Sequence, residues 1–284
     1  TFPQSFSPRN GEFVDFDTKP LFPAVFKNAG YKTLMYDNQY FLGQGVTFLT
    51  DGELSSILFD ERNSHGYKYD GDMLEDVLKC EYPALYVFHL WGQHYTYANR
   101  YPEAFSRFQK ENYEVREHAD VIAHYDNANL YNDYALNEII TTLDSYPEIC
   151  SAMLYCADHG EDLFDTDEGR FLHATPTATY YQLHVASLAW FSDKYKLLFK
   201  EKAEAALYNK NVPATTYSVF HTVADMASIA SPYIDFEASL VSFDYDYTSE
   251  RYYLNDHNQA TPLNENIGID SAQRRLFERA GVEL

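Results

Sequence analysis

The densest reactive chemistry in the chain is a run of four residues, Asp158, His159, Gly160 and Glu161. They close a short, mostly apolar run that begins at Ile149. Such a run reads as a buried strand of a parallel sheet. In open α/β folds, ligands bind just beyond the carboxyl ends of the strands. An Asp-His pair there offers one carboxylate oxygen and one imidazole nitrogen to a common point, a mixed donor set that suits zinc. Gly160 removes a side chain where a ligand can approach the backbone. Taken alone, the four residues fit better a strand-end pair that only hydrogen-bonds a loop.

Other residues weigh toward chemistry. The apolar run 83–90 continues into His89-Leu90-Trp91-Gly92-Gln93-His94. With a strand over 85–88, His94 falls in the loop past its carboxyl end, the rim that Asp158 and His159 occupy on their own strand. A lone histidine there is more often a hydrogen-bonded structural residue; a second one on the same rim raises the odds of a ligand set. After Glu161 comes an acidic loop (Asp162, Asp165, Asp167, Glu168), and then His173, placed to fold back over the same rim.

The elements that must carry these residues follow in order. Residues 1–18 are irregular, punctuated by Pro3, Pro8 and Gly11. The spacing of Leu21, Val25 and Phe26, with prolines in the opening turn and Gly30 behind, predicts a helix over 21–29. A strand over 31–36 follows and ends at Asp37-Asn38-Gln39. Residues 51–69 read as a polar surface excursion and 72–78 as a short helix. Val115, Ala119, Ile122, Leu136, Ile139, Ile140 and Leu143 recur at helical intervals and predict one long helix. Its polar middle, 125–134, reads as a solvated face with a tyrosine stripe on the core, and Pro147 ends it. A further buried strand is expected over 183–191, an amphipathic helix over 193–208 and another over 216–229. Residues 236–254 alternate and suggest antiparallel edge strands. A short charged helix from about 271 closes the chain. No internal repeat or linker interrupts the pattern, so the expectation is one α/β domain over 1–284, with a mostly parallel central sheet sandwiched by helices and antiparallel strands near the C-terminus.

Composition bounds the partners. The 284 residues are 45% hydrophobic and 17% aromatic, enough for a real core. The net charge of −22 disfavours nucleic acid and electrostatic docking on an anionic membrane. If the substrate is a phosphate ester, local cations must offset this field, and a metal does so. No apolar run reaches the roughly 18–20 residues that span a bilayer. Cys80, Cys150 and Cys156 cannot all pair with one another, and Cys150 and Cys156 lie too far apart on one strand to bridge.

Three blocks in this order carry a family resemblance: His89 to His94 with Arg100-Tyr101-Pro102; Tyr125-Asp126-Asn127 with Tyr131-Asn132-Asp133; and Asp158 to Glu161 followed by Leu172-His173-Ala174-Thr175-Pro176. Over roughly 1–229 the chain resembles the catalytic domain of the lipopolysaccharide phosphoethanolamine transferases, in the alkaline phosphatase/sulfatase superfamily. Gln93 stands where those proteins have Ser or Thr before the histidine, and Asp162 where they commonly have Ser; neither departure removes a metal ligand. The resemblance implies an alkaline-phosphatase-like fold and one or two zinc ions, with Asp158 and His159 as metal ligands. It implies that His94 and His173 sit near the transferred phosphoryl group as catalytic and substrate-binding residues, or hold a second metal. Asn38 matches a substrate-contacting position more weakly, and the family's lysine after that Asn has no counterpart in residues 39–45.

The resemblance also implies a reaction: transfer of phosphoethanolamine from phosphatidylethanolamine to lipid A or core sugar of lipopolysaccharide, through a covalent threonine intermediate. It places the enzyme in the bacterial inner membrane with this domain facing the periplasm. The family's nucleophilic Thr and a zinc-binding Glu precede the segment that residues 1–7 resemble. The chain is therefore expected to begin just after the nucleophile loop, to lack the N-terminal membrane helices, and by itself to fold without forming a phosphoethanolamine adduct. Two alternatives remain beside this reading. One is a phosphate- or sulfate-ester hydrolase of the same superfamily, although Cys80-Glu81-Tyr82-Pro83-Ala84 does not match the sulfatase nucleophile pattern. The other is a binding domain that kept the fold and lost the chemistry.

Overall fold

In a computed structural model of the chain, residues 20–39, 58–63, 67–76, 83–115, 117–173, 177–255, 259–265 and 269–284 are described. The irregular stretch 1–18, the pocket segment 40–45, Cys80 and residues 174–176 lie outside them. The chain packs as two compact units, one of Phe26–Tyr146 and one of Pro147–Leu284 with the chain up to Val25. Its architecture is mixed α/β, with a parallel sheet and antiparallel strand pairs.

The first unit is built on a parallel three-stranded sheet. Helix α1, Phe22–Asn28, leads through Gly30 into β1, Lys32–Asp37. Gly30 takes φ +88°, the left-handed conformation that ends a helix most easily without a Cβ. Strand β1 is central, between β2, Glu61–Asn63, and β3, Ala84–His89, both parallel to it. Five of its six residues are buried, as expected for a strand covered on both faces. The polar stretch read as a surface excursion thus contains a strand. Thr33 helps dock it: its hydroxyl donates to Leu58 O at 2.9 Å and its backbone N–H to Asp60 Oδ2 at 2.9 Å, while Leu58 and Phe59 are buried just ahead of the strand. Lys27 pairs with the same aspartate at 2.9 Å.

The paired ends of β1 and β3 place Asp37 beside His89, and their side chains meet at 2.8 Å. Asn38 and the loop after residue 89 therefore leave the sheet from neighbouring strand ends. A 3-10 helix, Asp70–Asp76, replaces the short α-helix expected at 72–78. The long helix α2, Ala119–Asp144, has the expected length, but its middle is not simply solvated. Asn127 is 1% exposed, and its Oδ1 accepts from Arg107 N and Phe108 N at 2.7 and 2.8 Å while its Nδ2 donates to Phe108 O at 3.0 Å. Tyr131 faces the core, as expected of a tyrosine stripe.

In the second unit, β4, Ala152–Cys156, carries the Asp-His motif at its end. Two short strands follow, β5, Asp162–Leu163, and β6, Phe171–Leu172, paired antiparallel. Then come α3, Tyr180–Leu183, and β7, Ser187–Phe191. Strand β4 pairs antiparallel with β7, not in a parallel ladder, and is only half-buried; β7 exposes Ser187, Leu188 and Ala189. The apolar run after Ile149 thus reported a strand correctly but not its partner, because composition reads burial and not direction. The amphipathic stretch is two helices, α4, Asp193–Leu198, and α5, Lys200–Asn209, broken at Phe199. Helix α6, Ser218–Met226, covers a core of Phe191, Tyr195, Met226 and Val241. Residues 236–251 form turns rather than the expected edge strands; the antiparallel pair near the C-terminus is β8, Tyr252–Leu254, with β9, Ala260–Pro262. Helix α7, Ser271–Arg279, closes the chain, capped by Asp270.

Candidate metal centre

The hairpin β5–β6 returns the chain over the end of β4. Its register pairs Asp162 with Leu172, so Glu161 and His173 stand opposite one another just beyond the ladder. His173 Nδ1 and Glu161 Oε1 meet at 2.5 Å. Leu172 holds φ +70° and Phe164 φ +66°, unusual for non-glycine residues, at the two bends that shape this return. The rings of His159 and His173 lie 3.7 Å apart between centroids. One ligand atom from each of His159, Glu161 and His173 falls within 4.8 Å of the others. Asp158 Oδ2 stands 3.8 Å from His159 Nε2.

The ring nitrogens are already sorted. His159 Nδ1 lies 2.9 Å from Gly160 O, an acceptor, so this nitrogen carries the proton and Nε2 is the one with a lone pair to offer. His173 turns Nδ1 to Glu161, which leaves its Nε2 outward. The hydrogen bond that His173 Nδ1 donates to Glu161 raises the imidazole above its ordinary titration range; burial opposes this, and the charges of Glu161 and Asp158 reinforce it. Glu161 is nearly inaccessible, with 6% of its side chain exposed, whereas Asp158 is half exposed. Two imidazoles and carboxylates converging at this spacing are a donor set that zinc accepts.

Behind the ligands the chain is fixed by contacts that residue-type spacing does not reveal. Gly160 donates its N–H to Gln182 O at 2.8 Å, and a Cβ added there would stand 2.0 Å from Tyr181 O. The missing side chain therefore admits helix α3, not a ligand, which corrects the expectation for this glycine. Asp162, fully buried, accepts from Thr179 Oγ1 at 2.6 Å and from Gln182 Nε2 at 2.5 Å. The residue that departs from the family's usual serine thus ties the hairpin to the cap of α3.

The other two expected site residues, His94 and Asn38, belong to the first unit. His94 follows Trp91 and Gly92 in the loop after β3, with its ring edge-on to Trp91 at 5.3 Å between centroids. Asn38 is fully buried and donates from Nδ2 to Asp70 Oδ1 at 2.8 Å; its Oδ1 is buried with no hydrogen-bond partner among the described residues. The sequence places Asp158, His159, His94 and His173 on one rim; the fold gathers Asp158, His159 and His173 in the second unit, carries His94 on the first, and adds Glu161, which was outside the expected ligand set. The signal for Glu161 was its place one residue before a short hairpin whose far end is His173.

The sulfatase family model matches residues 4–229, most of the chain and both sides of the hairpin. The chain belongs to the sulfatase family. Among curated relatives, this sulfatase-family chain is 28% identical over 249 residues to phosphoethanolamine transferase EptC of Escherichia coli strain K12, covering 82% of this chain and 42% of that protein. It is 34% identical over 188 residues to the Kdo(2)-lipid A phosphoethanolamine 7''-transferase of the same strain, covering 61% of this chain and 32% of that protein. The chain thus spans less than half the length of these relatives. Its fold is shared with the crystal structure of the C-terminal periplasmic domain of EptC from Escherichia coli in complex with zinc, at TM-score 0.78 and 22% identity, over 94% of this chain and 78% of that one. The α/β architecture is accordingly the alkaline-phosphatase-like one that the motifs implied.

Proposed function

We propose that this chain is the catalytic region of a zinc-dependent phosphoethanolamine transferase. One observation carries the reading: a sulfatase-family chain whose relatives are named phosphoethanolamine transferases gathers His159, Glu161 and His173 within ligand reach of a common point. The donor is phosphatidylethanolamine and the acceptor is lipid A or a core sugar of lipopolysaccharide, with the group carried on a covalent threonine intermediate. The setting is the periplasmic face of the bacterial inner membrane. No helix among the described residues is long and apolar enough to cross a membrane. The two units are parts of one sulfatase-type domain, a reading supported by a family match that runs across both.

Asp158 and His159 would hold the zinc, with Glu161 and His173 beside them to complete the set or hold a second ion. When bound, zinc polarises a phosphoryl oxygen and lowers the pKa of a hydroxyl nucleophile. The chain's own residues do the rest. His159 is oriented by Gly160 O, so its Nε2 is the nitrogen presented. Where His173 stays outside the ligand set, its imidazole, held protonated to higher pH by Glu161, would be suited to give a proton from Nε2 to the oxygen that leaves phosphorus. In this reading His94 would contact the phosphoethanolamine group, while Asn38, fully buried, would support that contact through Asp70 rather than touch the substrate. In a chain of net charge −22, these imidazoles and the metal supply the local positive charge that a phosphodiester needs.

The test is mass spectrometry of lipid A after incubation of the intact, zinc-loaded protein with phosphatidylethanolamine. Lipid A should gain one phosphoethanolamine, and His159→Ala should abolish the gain. Release of phosphoethanolamine to water with lipid A unmodified would identify a hydrolase instead, and no turnover of the donor would identify a binding domain.

A further inference from the structure

Asp70 is 3% exposed and receives three N–H donors: Asn38 Nδ2 at 2.8 Å and Trp91 N at 2.9 Å on Oδ1, and Gly92 N at 2.9 Å on Oδ2. A buried carboxylate is costly unless its lone pairs are met, and here three donors meet them. These donors come from two separate strand ends. Asn38 follows β1; Trp91 and Gly92 open the loop after β3 that carries His94. Gly92 takes φ +51°, the turn that lets two successive N–H groups face one anion. A cation holds the same loop from another side. Arg100 donates from Nε to His94 O at 2.9 Å and from Nη2 to Tyr95 O at 2.8 Å and Thr96 Oγ1 at 3.1 Å, with its guanidinium 3.7 Å over the Trp91 ring. Trp91 in turn seats the His94 ring edge-on. Asp70 itself stands at the start of its 3-10 helix, and Gly71 N donates to Tyr131 Oη of α2 at 3.1 Å, which anchors the carboxylate to the long helix.

We propose that Asp70 is a positioning residue that sets Asn38 and the 91–94 loop jointly, so that one buried carboxylate fixes the strand-end amide and aims the substrate-contacting His94. The inference rests on the reading of Asn38 and His94 given under Proposed function. It goes beyond that reading by assigning the residue that fixes their mutual geometry. The Asn38 amide fits this role: Nδ2 is committed to Asp70, and Oδ1 is buried with no hydrogen-bond partner among the described residues, so the side chain is fixed from one side only. A carboxylate replaced by an amide of the same size would turn an –NH2 toward an N–H donor, so Asp70→Asn breaks the arrangement with little change in volume.

The experiment uses the intact zinc-loaded protein and its Asp70→Asn variant, with phosphatidylethanolamine and lipid A as substrates. Misplacement of about 1 Å costs on the order of 100-fold in turnover, so kcat per folded molecule should fall by about that factor while zinc content per folded molecule stays near that of the parent, even though the thermal midpoint drops with the lost hydrogen bonding. A second arm reads the loop without any reaction. The chain has two tryptophans, so in a Trp190→Phe background Trp91 is the sole indole. Its emission should shift to the red and its acrylamide quenching should rise in Asp70→Asn. If that variant does not fold, Arg100→Gln releases the loop from its other side and should give the same pair of changes. Parent-like kcat with parent-like Trp91 emission overturns the proposal, and so does a loss of turnover that only tracks lost zinc or lost folded protein. If the parent transfers nothing, the functional reading fails, and the Trp91 arm still decides the positioning claim.

Discussion

Replacing Gly160 by alanine should disable the metal centre without touching a ligand. A Cβ at this position would lie 2.0 Å from Tyr181 O and 3.1 Å from His184 O, against an ordinary separation of roughly 3.5 Å. Both neighbours are backbone oxygens of α3 and its cap, so no side chain can rotate away. The two segments must part by more than an ångström, and the Gly160 N to Gln182 O hydrogen bond is lost with them. Overpacking of this kind costs about 1–3 kcal/mol and the hydrogen bond about 1 kcal/mol, so the expected loss is about 2–4 kcal/mol. That is a large part of the ~5–15 kcal/mol that holds a domain together. The same displacement moves His159, the next residue, out of the ~0.2 Å tolerance of a metal ligand, so zinc affinity should fall at least ~10-fold. Urea denaturation gives the first number and zinc titration against a competing chelator the second. A Gly160→Ala protein within about 0.5 kcal/mol of the parent and with unchanged zinc affinity would refute the close approach of α3 to the motif.

Three further outcomes are expected. In metal-free protein, Glu161→Gln should bring the His173 titration down toward the ordinary imidazole value of ~6.5, as read by NMR of the ring protons. Because the folded-state value is raised, the stability that Glu161 lends through His173 is fully present below that ordinary value. It is lost as pH rises through the raised one, so parent and variant should differ most under acidic conditions and converge above it. Asn127→Ala leaves the N–H groups of Arg107 and Phe108 without their acceptor and should cost about 2–4 kcal/mol in urea denaturation with an unchanged slope. Asp158→Asn and His159→Ala, each made in the intact protein, should reduce zinc content and transferase activity together; full activity in both would count against ligation.

The candidate site was partly legible because type and spacing carry chemistry directly: His159 and His173, two of the three residues that the fold brings within ligand reach of one another, stood out before any contact was known. Helices α1 and α2 were legible from their 3.6-residue apolar spacing, and β1 and β3 from dense apolar runs. What escaped was whatever depends on a partner distant in sequence. Strand β2 is polar, and Thr33 and Lys27 help dock its approach through Asp60. The direction of β7 relative to β4 is set by pairing, which composition does not encode. Glu161 stood in the reactive run but was not read as a ligand until the hairpin register set it against His173. Asn127 looked solvated because its partners lie 19 and 20 residues earlier in an irregular loop. The role of Gly160 was misassigned for the same reason, since Tyr181 and His184 approach it from beyond the hairpin.

The central claim is that the Asp158–His173 region holds the catalytic zinc. Crystals of the zinc-loaded protein, measured just above and just below the zinc absorption edge, test it most directly. An anomalous peak bonded at about 2.0–2.2 Å to a nitrogen of His159 and to at least one oxygen or nitrogen of Asp158, Glu161 or His173 is the predicted result. Zinc bound elsewhere, with none of these four residues in contact, would contradict the account.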